Sequence, residues 1–217
     1  MLVIHTAADL VSIMADANDS QRTGLIEKKA RNVMGTIRAL AQQVVCSAED
    51  MECADGEGVL RLPGLLPAVE TLNIAFHKLM RDPIFTWAKK RGYSIDVELQ
   101  RGPTVVWFKS GGMTCGNDMV VMLIVVPRPK RSGGVEKDVE GIFGTTAAEQ
   151  EVLSTGIIKS PVGGPIFVDS PFECQVGDMI ILEEGEQILV KETTGPGNPK
   201  DFCVLCAVHS TTKKNEV

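Results

Sequence analysis

The sequence predicts an α+β protein: an N-terminal helical region over residues 1–93, then a β-rich domain over 94–217 folded as an antiparallel β sandwich or barrel with one short inserted helix. Three observations carry this expectation. Apolar residues recur at helical spacing up to about residue 93, strand-like runs take over from Ser94, and Met119–Val126 is an unbroken apolar run of strand length. Helices grouped ahead of strands point to α+β architecture and away from a doubly wound sheet. The apolar run is bounded by turn-rich residues before it and by Pro127 after it, so it reads as a strand covered on both faces.

The helical region divides at its breakers. A short helix is expected over 7–17, followed by a polar connection over 18–22. Beyond it Ile26, Ala30, Val33, Ile37, Leu40, Val44, Ala48 and Met51 recur at steps of three and four, opposite Glu27, Lys28, Arg31, Arg38 and Gln42. That pattern predicts one amphipathic helix of roughly 30 residues, well above the usual length. Asp55 to Gly58 ends this region, and Pro67 suits the first turn of the next helix, whose stripe is Leu65, Val69, Leu72, Ala75 or Phe76, and Leu79. Asp82-Pro83 is expected to break it, and a last helix over 84–91 stops at Gly92.

Strands are expected over 95–100, 104–109, 119–126, 157–159, 166–168, 178–183, 186–192 and 202–208. Residues 179–190 read as a hairpin turning at Glu184-Gly185. Thr146 and Glu149 have capping-box spacing, which places the inserted helix there and carries it through Leu153.

Composition excludes several functions. The formal charge is −6 and is spread over both halves, aromatic residues make up 5% with a single Tyr, and no basic footprint emerges, so nucleic acid is not an expected partner. No run reaches the roughly 18 apolar residues of a membrane span, and residues 1–9 lack the basic and apolar segments of a signal peptide. Synthesis in the cytoplasm is expected, with the six Cys reduced and packed as small hydrophobes.

Motifs that could carry chemistry fail on geometry. Cys203 and Cys206 point to opposite faces of a strand, and Cys203 and His209 lie roughly 20 Å apart along it, so no metal can bridge them. Gly111 and Gly116 have phosphate-loop spacing, but Asn117-Asp118 stand where Lys and a hydroxyl are needed; a flexible hairpin connection from Lys109 to Met119 is expected. The carboxylates of Glu49, Asp50, Glu52, Asp55 and Glu57 miss the spacing of a calcium loop, and Arg128, Lys130 and Arg131 read as a solvated basic loop. The histidines are scattered at 5, 77 and 209, with His77 read as a packing or rim residue. No catalytic residue, metal or cofactor is therefore expected.

The expected function is structural. The long helix and the continuous strand present more apolar surface than a single β domain of roughly 120 residues needs. The expectation is a homo-oligomer, such as a virion component of a bacteriophage head, connector or tail, that packs against itself and other assembly proteins without chemistry. The expected interface residues are Ile26, Val33, Ile37, Leu40, Val44, Trp107, Val120, Met122, Ile124 and Val126. The alternative is an enzyme or ligand-binding protein with a site between the helical and β halves, using Cys115, His77 or the Asp118 loop. A third reading is an adaptor that binds a partner helix along the stripe from Ile26 to Met51.

Overall fold

The run Met119–Val126 is the strand about which the molecule is arranged. The computed structural model describes residues 2–4, 6–14, 23–54, 58–130, 154–163, 166–190 and 202–213. In chain order these form β1 (Leu2–Ile4), α1 (Ala7–Met14), α2 (Thr23–Ala41), β2 (Glu52–Cys53), β3 (Val59–Arg61), α3 (Pro67–Lys90) and β4 (Tyr93–Phe108). There follow β5 (Gly111–Thr114), β6 (Met119–Val126), β7 (Ser154–Gly163), β8 (Ile166–Cys174), β9 (Met179–Leu182), β10 (Gln187–Val190) and β11 (Phe202–Lys213).

The strands make two antiparallel sheets. One is seven-stranded in the order β1-β9-β6-β11-β4-β3-β2, the other four-stranded in the order β5-β10-β7-β8. Among the described residues both have free edges, and the architecture is an α+β sandwich and not a closed barrel. Helices cover the outer face of the large sheet, and the small sheet covers its inner face.

β6 shows why its sequence has no polar side. Val120, Met122, Ile124 and Val126 pack with the helices, while Val121, Leu123 and Val125 pack between the sheets. Its β11 partner alternates likewise, with Cys203 and Leu205 on the helix side and Cys206 on the other, which keeps the two thiols on opposite faces. The first 93 residues also supply β1, β2 and β3 to the large sheet, which their helical periodicity did not announce.

Several boundaries differ from those expected. α2 ends at Ala41, well before Met51. Val44, Cys46 and Met51 are still buried, but the chain there leaves the helix to exchange backbone hydrogen bonds with Lys130, from Ala48 N–H to its carbonyl (2.8 Å) and from its N–H to Cys46 O (3.0 Å). α3 runs unbroken through Pro83. The lost hydrogen bond and the ring clash cost about 3 kcal/mol, and burial of Met80, Ile84 and Trp87 on that stretch, at about 1.5–3 kcal/mol each for aliphatic side chains, outweighs them. Gly92 follows the helix with φ +81°, the left-handed conformation expected of it.

β4 is one strand and not two: it passes through Arg101, Gly102 and Pro103, where its register with β11 shifts three times between Cys206 and Thr211. Residues 111–114 form β5, not a flexible connection, because β10 pairs with them. The run 179–190 is not a hairpin either, since β9 belongs to the large sheet and β10 to the small one. Its turn is a corner between layers: Gly185 takes φ +78°, and the buried Glu186 carboxylate accepts the Glu183 N–H (3.0 Å) and the Ser160 hydroxyl (2.7 Å). The helix expected over 146–153 lies outside the described residues, as do residues 15–22, Asp55, Glu57 and Arg131. Among the described residues, no helix is long and apolar enough to cross a membrane.

Candidate functional site

α3 carries two adjoining stripes. Leu72, Phe76, Met80 and Trp87 lie in the core, and His77, Lys78, Arg81, Ile84 and Phe85 line a cavity of about 470 Å³ between the helix and the large sheet. Their offsets of one, four, seven and eight residues keep them on one helical face. The sheet supplies the opposite wall: Ile95 and Asp96 from β4, Met122 from β6 and His209 from β11.

The two histidines meet inside this cavity. Their rings stand edge to face with centroids 5.3 Å apart, and His77 also meets Phe76 edge-on at 5.5 Å. His209 is 3% exposed, and its Nδ1 lies 3.1 Å from the backbone oxygen of Asp96. A carbonyl only accepts, so Nδ1 carries the hydrogen, and in the neutral ring Nε2 is a bare acceptor. Among the described residues neither His209 Nε2 nor His77 Nε2 has a hydrogen-bond partner, although both atoms are buried. Unpaired polar atoms of this kind are rare in native interiors and call for an explanation.

The register shifts of β4 explain the geometry. β11 keeps regular pairing with β6 through His209, whereas β4 carries extra residues opposite it. Bulges of this type re-aim groups near functional sites. The Asp96 carbonyl lies within the irregular stretch and receives the His209 N–H.

Electrostatics hold both rings uncharged. Burial lowers the His209 pKa below its ordinary 6.5, against an opposing effect of the Asp96 hydrogen bond. Burial also lowers that of His77, and the neighbouring His209 adds to the effect. At the mouth Lys78 and Arg81 are exposed, and Arg81 sits 5.5 Å over the Phe85 ring. The described residues contain no group of three or more His, Cys, Asp or Glu placed to hold a metal.

The residues singled out by sequence are distributed otherwise. Val33, Ile37, Val44, Trp107, Val120, Met122, Ile124 and Val126 are buried in one core between helices and sheet, with Leu40 half-buried against it; the Ile26 side chain lies outside the described residues. The helix stripe and the strand, each expected to present unpartnered apolar surface, cover each other.

Cys115 is 1% exposed, its thiol donates to the Met119 carbonyl (3.3 Å), and burial pushes its pKa up to about 11, the reverse of what a nucleophile needs. Asp118 is an exposed turn residue with φ 54° whose carbonyl accepts the Thr211 N–H. Of the residues in the alternative reading, only His77 lies in the cavity. His209, Lys78, Arg81 and Asp96 were missed; the one sequence signal was the spacing of His77, Lys78, Arg81, Ile84 and Phe85.

No protein-family model matches the chain, and no curated protein matches it. Among solved structures the chain is similar to the Momordica charantia 7S globulin, with a TM-score of 0.30 and 6% identity, over 74% of this chain and 33% of that one. The chain thus spans about a third of that protein, and a likeness so slight carries no argument.

Proposed function

We propose that the protein binds a small organic molecule in the cavity between α3 and the large sheet. The observation that carries this reading is the pair of buried, unpartnered imidazole nitrogens, His77 Nε2 and His209 Nε2, in a space of about 470 Å³. That volume lies within the range of small-molecule sites, and the apolar walls with a few convergent polar groups fit their usual make-up. Leaving two such atoms unpaired costs free energy that a bound ligand would recover. NMR of the full chain with isotope-labelled histidine tests the reading against a broad fragment set. Hits should move the His77 and His209 signals together, and a set in which no compound moves either one refutes it.

A second reading, subunit packing in a homo-oligomer, has its own supporting observation. β8 is an edge strand of the small sheet, and Ile166, Phe167 and Val168 stand exposed along it with Val162 on the neighbouring β7. Exposed apolar edges are ready templates for pairing with another chain. Light scattering after size-exclusion chromatography tests it, with an assembly expected and a monomer at micromolar concentration counting against it. Electron microscopy for rings, tubes or shells tests the virion form of that assembly.

A further inference from the structure

We infer that the ligand of this cavity is an organic monoanion in which an apolar body carries both a carboxylate and a hydroxyl or N–H donor. This inference rests on the small-molecule reading above. Three features select the class. The His209 Nε2 is a fixed acceptor, because its other nitrogen is committed as donor to the Asp96 carbonyl, so the complementary ligand atom must bear a hydrogen. The inner walls, Ile84, Ile95 and Met122, are aliphatic or thioether surface that only an apolar body can cover without leaving polar atoms unpaired.

The mouth supplies the third feature. Lys78 and Arg81 bring two positive formal charges, and neither makes an ion pair with a described residue. Asp96 brings one negative charge, so with neutral imidazoles the site has a net charge of about +1 by formal count, which one carboxylate neutralises. The Arg81 guanidinium, held over Phe85, presents the fork that pairs a carboxylate in two-point fashion. A divalent metal bridging the two Nε2 atoms is the competing occupant. It is disfavoured by the absence of a third ligand among the described residues and by the two cations at the mouth.

The test uses the full chain with labelled histidine and two matched series of probes: phenyllactate, phenylpropionate and ethylbenzene, and mandelate, phenylacetate and toluene. In at least one series the hydroxy acid should bind about tenfold more tightly than either analogue, the size of one charge-assisted or buried hydrogen bond. It should also move the His209 Nε2 signal in the direction of hydrogen-bond acceptance. Replacing both exposed mouth cations, with Lys78→Gln and Arg81→Gln, should cost the acids about tenfold in affinity, leave the hydrocarbon probes unaffected and leave the melting temperature unchanged.

If the probes of each series bind equally well, the cavity reading stands and the inferred ligand class is overturned. If no probe of any kind moves either histidine, the cavity reading falls and the inference with it. Zinc chloride that shifts both Nε2 signals and displaces the hydroxy acids overturns the inference in favour of a metal centre.

Discussion

The imidazole of His209 faces that of His77 across 5.3 Å, and neither ring has a partner for its Nε2 among the described residues. One histidine comes from a helix and the other from a central strand, so their meeting reports how α3 is seated on the sheet.

The pair makes stability depend on pH. A ring whose folded pKa lies below 6.5 binds fewer protons when folded than when unfolded. Its stabilising contribution is complete above about 6.5 and is lost as pH falls from there toward the depressed folded values. Melting temperatures from about pH 7.5 down to about pH 5 should therefore decline. The decline should be shallower in His77→Gln and in His209→Gln, because Gln does not titrate. A wild-type profile flat across that interval would contradict the burial of both rings.

α2 is tied to the turn before β9 by a half-buried ion pair. The Arg38 guanidinium lies 3.2 Å from Asp178 Oδ1, Asp178 is 2% exposed, and its Oδ2 accepts the Gln175 N–H at 2.9 Å. Arg38→Met should cost about 3 kcal/mol by leaving that carboxylate buried without its cation. Gly177→Ala should cost about 2 kcal/mol or more, since Gly177 has φ +90° and a Cβ there would lie 2.6 Å from the Arg38 backbone. Both changes loosen one contact, so the double variant should lose less than the sum of the singles. Denaturant midpoints measure all three.

The thiols separate by burial. Cys53 is exposed, whereas Cys46, Cys115, Cys174, Cys203 and Cys206 are buried, and burial pushes Cys115 to about 11 and Cys174 to about 12. A thiol reagent at neutral pH should modify Cys53 alone in the native protein and every Cys after denaturation. Rapid native labelling of Cys115 would reopen a nucleophilic role for it.

The exposed edge offers a clean variant. Phe167→Asp with Val168→Lys should leave unfolding within about 0.5 kcal/mol of wild type, as surface changes do. If β8 pairs subunits, the variant should lower the mass seen by light scattering. An unchanged assembly would place the contact elsewhere.

Much of this architecture was legible because burial leaves a period in sequence. The doubly covered strand at 119–126, the stripe from Ala30 to Leu40, the Pro67 start and the Gly92 stop all follow from local rules. What failed depended on partners distant in sequence. Residues 44–48 leave the helix for Lys130, Pro83 is carried by its packed neighbours, and 179–190 divides between two sheets, none of which is encoded within a window of ten residues. The cavity was hidden for the same reason: His77 and His209 meet only once helix and sheet are docked, and the extra residues of β4 opposite His209 are visible only as a pairing register.

The order of strands in the large sheet also governs how the molecule can form. β1 comprises residues 2–4, yet its neighbour is β9 at residues 179–182. During translation residues 2–4 must wait until residues 179–182 have left the ribosome before they find their place. Such distant pairing makes for slow maturation, and the flank of β9 that β1 will occupy stays open to rival strands in the interval.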